Sequence, residues 1–313
     1  MPKEGRAFAS MTGQCEAMNG LVPESMEGLV IAHLGQGIAV EHENKIILCQ
    51  TLRKLETVAV GDKVLWSLSA PDQGRIEAIL PRRSLLARPA RNNKVRPVAA
   101  NIDTVFVVIA VEPYCDFLLI DQYLAVCENN EINAALILNK TDLTLPEALE
   151  NELQVYQNLG YQIHRVSTKI ENGLAELKLA LHNQVSLLTG QSGVGKSSIT
   201  NIIVPDKNLK TNTLSETTKH GRHTTTAATL YHINTGGDLI DSPGVAIFGL
   251  ADLNRQQLAQ GYREFQPFSD VCQFNDCSHH LDKGCAVRVA AEDGKIAMTR
   301  YQRFLKLTQK MSR

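Results

Sequence analysis

The chain has 313 residues, 43% of them hydrophobic, and its longest unbroken apolar run is the seven residues Val105 to Val111; the length predicts about two domains, and the composition excludes an apolar segment long enough to span a bilayer. Lys plus Arg is 32 against 33 for Asp plus Glu, a formal charge of -1, which excludes a uniformly basic nucleic-acid binder. The charge is nevertheless segregated: Arg75 to Val98 holds seven basic residues and one acidic, Ala99 to Leu188 four basic and twelve acidic, and Asp282 to Arg313 eight basic and three acidic.

Residues 1–27 show no periodicity and no apolar stretch behind their charges, so they read as a flexible leader rather than a secretory signal, and a cytoplasmic protein is expected. Five short β-branched or aliphatic runs follow, 28–34, 37–42, 45–51, 62–68 and 74–80, separated by Gly, Asn or Asp turns. They predict a five-stranded OB-type β-barrel as a first domain, 28–90. Such barrels bind oligonucleotides; a β module that only packs on its neighbour is the equal alternative. Residues 82–97, RRSLLARPARNNKVRP, read as an extended basic linker open to a polyanion.

The pattern then alternates. Strand 104–111, helix 117–129, strand 134–138, helix 146–159, strand 161–167, helix 174–182, strand 185–188 and a helix opening at Lys196 predict an α/β domain with a mainly parallel sheet, 91–262.

Residues 190–197, GQSGVGKS, match G-x-x-x-x-G-K-[ST] and stand between an apolar strand and a helix, the context a phosphate-binding loop requires. Gly190, Gln191, Ser192, Gly193, Val194, Gly195 and Ser198 line the cradle. The glycines let backbone N–H groups curl around phosphate oxygens, Lys196 reaches the terminal phosphates, and the Ser197 hydroxyl can ligate Mg2+. The choice of base comes from NKTD, Asn139–Asp142, at the end of the strand AALIL. The Asp142 carboxylate can accept from both the N1–H and the exocyclic amine of guanine, a donor pair that adenine lacks. Lys140 covers the base face, Asn139 ties the loop together, and Thr141 completes it. Ser167, Thr168 and Lys169, at the next strand end, offer backbone contacts to the base.

Asp241-Ser-Pro-Gly244 is a D-x-x-G at a strand end, which puts a carboxylate near Mg2+, through water, and the Gly244 amide near the γ-phosphate. A hydroxyl from Thr224–Thr226 completes the metal shell; spacing does not choose among them, and Thr225 is favoured. The order is N-K-x-D, P-loop, D-x-x-G, whereas ordinary GTPases place the P-loop first. The domain is therefore circularly permuted, which a fold tolerates when its original termini lie close together.

The order NKTD, GQSGVGKS, GRHTTT, DSPG, with a barrel before it and a Cys/His cluster after it, resembles the ribosome small-subunit-dependent GTPases, the RsgA or YjeQ family, from about Gly28 to the C-terminus. The resemblance implies a GTP hydrolase that binds the small ribosomal subunit and its rRNA, assists late maturation and is stimulated by the subunit, with a C-terminal zinc domain, here 263–313. A monomer is expected. The position after D-x-x-G is Val245, which cannot orient water, so intrinsic turnover should be slow. His223, ahead of the threonines, is the candidate to substitute, and the resemblance supports a switch-loop histidine in that role.

Cys272-x4-Cys277-x-His279-x5-Cys285 offers three thiolates and one imidazole, a closed set suited to one structural Zn2+. His280 competes as the fourth ligand, and the resemblance favours His279. Cys15, Cys49, Cys115 and Cys127 are scattered and read as inert. The tail helix sets Tyr301, Phe304 and Leu305 or Leu307 on one side and Arg300, Arg303, Lys306 and Lys310 around the rest, a solvated face or a phosphate contact. Two other functions fit parts of the pattern: an RNA-binding assembly factor with GTP as a structural or timing ligand, and a small-molecule P-loop kinase, against which Asp142 argues.

Overall fold

The computed structural model describes residues 25–71, 73–89, 95–207, 228–241 and 253–311. No helix among them is long and apolar enough to cross a membrane.

Five strands, β1 (Met26–Leu34), β2 (Gly37–His42), β3 (Lys45–Thr51), β4 (Lys63–Ala70) and β5 (Gln73–Ile79), form the expected barrel. Neighbours β1–β2, β2–β3, β4–β5 and β1–β4 are antiparallel, and a parallel β3–β5 pair completes the closure. Alternate side chains fill it: Val30, Ile38, Val40, Cys49, Val64, Trp66 and Ile76 form one buried cluster, as the two-residue period of a strand dictates.

The expected linker is instead a hairpin. β6 (Leu85–Pro89) and β7 (Val95–Ala100) pair antiparallel, with Leu86 opposite Ala99 and Arg88 opposite Arg96. Leu86 and Ala99 are both buried, so an apolar pair at the hairpin's base drives its formation, while the Arg and Pro residues farther out dominate the composition and hide it. Two of the linker's arginines serve the fold. Arg82 makes a two-pronged contact with the buried Asp62 carboxylate, at 2.7 and 2.8 Å, and Arg83 meets Asp103 at 2.6 Å.

The α/β part follows the predicted alternation. β8 (Thr104–Ala110), α1 (Phe117–Asn129), β9 (Asn133–Asn139), α2 (Glu147–Asn158), β10 (Gln162–Arg165), α3 (Ala175–Ala180), β11 (Val185–Thr189), α4 (Lys196–Ile203), β12 (Thr229–His232) and β13 (Asp238–Asp241) succeed one another. The strand order is β10-β9-β8-β11-β13-β12, parallel except for the last pair. Every residue of β8 is buried, as expected of a central parallel strand covered on both faces. Val105, Val107 and Ile109 join a core with Tyr123 of α1 and Leu153 of α2. Phe106, Val108 and Ala110 join a second with Leu177 of α3 and Ile199 of α4.

The barrel and this sheet are continuous, because β1 also pairs with β12, Ala32 opposite Thr229. Beside that junction His232 on β12 contacts Asp238 of β13 and Glu41 of β2, both at 2.6 Å.

After the α/β part come α5 (Arg255–Gln260), α6 (Gln266–Ser269), α7 (Ala286–Glu292) and α8 (Met298–Met311). Tyr262, Phe265 and Phe304 form an aromatic knot, with Phe265 4.9 Å from each of the other two ring centres. Tyr301, Phe304 and Leu307 of α8 are buried, the apolar side that the sequence predicts. The reading of the basic face needs correction. Arg300 is 1% exposed and contacts Asp121 of α1 at 2.6 Å and Glu264 at 2.7 Å. Arg303 reaches Asp121 at 2.6 Å and Glu152 of α2 at 3.0 Å. The cause is Asp121, a carboxylate on the buried side of α1 that requires paired cations. Lys306 and Lys310 remain exposed.

Candidate functional site

The P-loop joins β11 to α4. Gly190, Gly193 and Gly195 have φ of 134°, 81° and 98°, a region that L side chains rarely adopt. Gly195 is doubly constrained, since a β-carbon there would stand 2.2 Å from Asn139 Nδ2. Val194 is buried in the core on the α4 side, which anchors the loop, while Ser192, Ser197 and Ser198 are exposed at its mouth. The Lys196 ammonium donates to the carbonyls of Gly190 at 2.7 Å and Gln191 at 2.6 Å. Burial lowers its pKa, and the nearby Asp241 charge acts in the opposite sense.

The Asn139–Asp142 loop lies against the P-loop although its sequence position is reversed. Asn139 Nδ2 donates to Val194 O at 2.9 Å and Lys140 Nζ to Gly193 O at 3.0 Å. The Asn139 side chain thus ties the two loops to each other rather than its own loop alone, and Lys140 directs its ammonium to the P-loop backbone. Thr141 donates from both its amide and its hydroxyl to Val166 O, at 3.2 and 3.0 Å. The Ser167 hydroxyl donates to Asp142 Oδ1 at 2.6 Å, and the Lys169 amide to Ser167 Oγ at 3.1 Å. The Ser167 bond is the chief cause that holds the Asp142 carboxyl below its usual range. Lys169 Nζ stands 3.7 Å from Asp142 Oδ2, and Thr168 is half-buried between them in sequence. Ser167 is therefore brought to the site by its side chain, where the sequence suggested backbone contacts alone. The result is an exposed, ionised carboxylate beside the P-loop, able to accept from a pair of adjacent donors.

Asp241 ends β13, and its carboxylate meets the Lys207 ammonium. No motif marks Lys207, so sequence reasoning missed it. His223, Thr224, Thr225, Thr226, Gly244 and Val245 lie outside the described residues. Sequence reasoning also missed the segment after β8. The Gln191 side chain accepts from the Asp116 amide at 2.9 Å and donates to Tyr114 O at 2.8 Å, fastening the P-loop to the start of α1. Asp116 caps that helix, accepting from the amides of Leu118 and Leu119.

The second constellation is Cys272, Cys277, His279 and Cys285, whose ligand atoms all lie within 4.8 Å of one another. His279 Nδ1 is 3.7 Å from the sulfurs of both Cys272 and Cys285. A tetrahedral metal with metal–sulfur bonds of ~2.3 Å spaces its ligands by about 3.8 Å, so the donor set fits. His280 is exposed and outside the group. Local structure imposes the choice: His279 has φ of 56°, and its carbonyl accepts from the buried Tyr301 hydroxyl at 2.7 Å.

The profile of the RsgA GTPase family matches residues 79–251. The small ribosomal subunit biogenesis GTPase RsgA of Haemophilus influenzae (strain PittGG) is 42% identical over 300 residues, which cover 93% of this chain and 87% of that protein. The solved structure of YjeQ from Thermotoga maritima is 31% identical with a TM-score of 0.73, covering 92% of this chain and 99% of that one. The crystal structure of YloQ, described as a circularly permuted GTPase, is 27% identical with a TM-score of 0.70, covering 92% and 96%.

Proposed function

The chain belongs to the RsgA GTPase family, and from that membership we propose a GTP hydrolase that binds the small ribosomal subunit, assists its late maturation and is stimulated by it. The observation that carries the reading is the pair of bonds from Asn139 to Val194 and from Lys140 to Gly193. A base-reading carboxylate and a phosphate cradle are joined there in the reverse of their usual chain order.

In this reading Asp142 accepts from guanine, with Ser167 holding it ionised, and Thr168 and Lys169 line the base. The amides of 190–195 and the helix N-terminus at Lys196 bind the phosphates, with Ser198 beside them. Ser197, Thr225 and Asp241, the last through water, hold Mg2+, which when bound neutralises charge developing on the phosphates. Lys196 leaves its own loop's carbonyls to contact the terminal phosphate. Gly244 reaches the γ-phosphate, and His223 orients the attacking water in place of the missing glutamine. Cys272, Cys277, His279 and Cys285 hold one Zn2+ that organises the C-terminal unit. The modules are 28–90, 91–262 and 263–313, and subunit contact falls to the barrel, the β6–β7 hairpin and the exposed lysines of α8, in a cytoplasmic protein.

The test is GTP turnover with and without purified small subunits, with ATP as competitor. Subunits should raise turnover far more than free RNA does, ATP should fail to compete, and His223→Ala should abolish the increase at unchanged nucleotide affinity. Full stimulation in that variant removes His223 from the mechanism. Equal competition by ATP removes the guanine reading.

A further inference from the structure

Lys207 lies four residues beyond α4, where its amide donates to Val204 O at 3.1 Å and continues the chain for one more turn. Its ammonium meets Asp241 and lies 5.5 Å from the centre of the Tyr231 ring. Tyr231 belongs to β12, the partner of the strand that Asp241 ends. The Lys207 and Asp241 side chains are each 21% exposed, so this ion pair is largely withdrawn from water and backed by an aromatic face.

We propose that Lys207 is a resident counter-cation for Asp241 that competes with Mg2+ for that carboxylate, and so sets the Mg2+ concentration at which nucleotide is bound tightly. The inference rests on the reading of Asp241 as the metal-side carboxylate. A shielded carboxylate left without a cation is costly. Among the described residues Lys196 is the other ammonium near Asp241, and it is engaged with the carbonyls of Gly190 and Gln191. Among the described residues Lys207 therefore supplies the neutralising charge while no metal is bound. A hydrated divalent ion approaching Asp241 has to displace the ammonium or share the carboxylate with it, and two cations on one carboxylate repel each other. Either way each weakens the other's hold. The lysine stabilises the metal-free site and raises the Mg2+ needed to fill it.

The experiment uses the full-length protein stripped of nucleotide, a fluorescent GDP analogue, and Mg2+ titrated in chelator-buffered solution. Lys207→Met should lower the Mg2+ midpoint for tight nucleotide binding by about two- to fivefold, the range of a partly shielded ion pair. Lys207→Arg should keep the wild-type midpoint, and a near-ultraviolet dichroism spectrum confirms that each variant is folded. If Lys207→Met does not fold, Lys207→Gln replaces it in the same titration. A folded neutral variant with an unchanged or raised midpoint overturns the proposal. Asp241→Asn separates the two levels. If it loses the Mg2+ response while the neutral Lys207 variant shows no shift, the counter-cation idea alone fails. If Asp241→Asn responds to Mg2+ like the wild type, the assignment of Asp241 to the metal fails and the proposal falls with it.

Discussion

The side-chain amide of Asn139 donates to the carbonyl of Val194 at 2.9 Å across 55 residues of chain, and a β-carbon on Gly195 would stand 2.2 Å from the same nitrogen. One residue of the 139–142 loop therefore holds the 190–195 loop in shape. Asn139→Ala leaves the Val194 carbonyl without this buried partner, at a cost of about 1–3 kcal/mol. Nucleotide affinity should fall about five- to a hundredfold in a protein that still folds, read by titration of a fluorescent GDP analogue. Gly195→Ala should abolish binding, because relief of the clash requires moving Asn139.

In the proposed function Asp142 sets the base. Asp142→Asn exchanges one acceptor oxygen for a donor, which suits a purine carrying a carbonyl where guanine carries its amine. GTP affinity should drop at least about a hundredfold and xanthosine triphosphate should bind better than GTP, measured by competition. The carboxyl is held low chiefly by Ser167, so it stays ionised on mild acidification. GTP affinity should change little between pH 7 and pH 5 in the wild type and fall earlier in Ser167→Ala.

Asp121 receives Arg300, Arg303 and the Tyr156 hydroxyl, each at 2.5–2.6 Å, and joins the C-terminal helix to α1. Asp121→Ala leaves the buried Arg300 with Glu264 as its remaining acid partner, and should destabilise by about 3–5 kcal/mol in chemical denaturation. Combining Asp121→Ala with Arg300→Met should recover part of that loss, because the uncompensated charge goes with its partner.

Metal removal tests the Cys/His group. Chelation should release one equivalent of zinc and lower the unfolding temperature by about 10 °C or more, and Cys285→Ser should do the same without chelator. The Tyr301 bond to His279 carries the effect into α8. Protein purified without chelator that is folded and zinc-free would count against the assignment.

His232 couples barrel to sheet. Its bond to Asp238 first, then Glu41, raises its pKa from 6.5 to about 9 against the opposing effect of burial. A raised folded-state value means stability that is fully present below pH 6.5 and lost as pH rises through about 9. The side chain is 48% exposed, so solvent screens the pair and the melting temperature should fall by only about 2 °C between pH 6.5 and 9.5. His232→Gln should remove that slope.

Much of this molecule was legible because its signals are local. The alternation in β1 to β5, the all-buried run of β8 and the P-loop between a strand and a helix each occupy a few adjacent residues. What escaped was pairing across distance. Leu86 and Ala99 make a hairpin only when brought opposite each other, so the Arg- and Pro-rich stretch around them read as linker. Arg300 and Arg303 read as a solvated face because their partner Asp121 is 179 and 182 residues away. An acid within the apolar side of α1 was the available clue, since a buried carboxylate demands a cation. Lys207 left no such trace: nothing in the residues around it announces that β13 ends beside it.

The junction of β1 with β12 has a thermodynamic corollary. β12 and β13 form a short ladder that stands in sequence between 208–227 and 242–252, the two stretches to which the proposed function assigns the switch motifs, and β1 of the barrel pairs with the β12 edge of that ladder, Ala32 opposite Thr229. If the barrel holds the partner as proposed, whatever free energy GTP contributes to that grip, the partner must return in equal measure to the grip on GTP. A single ratio of dissociation constants, obtained from either direction, then describes both events.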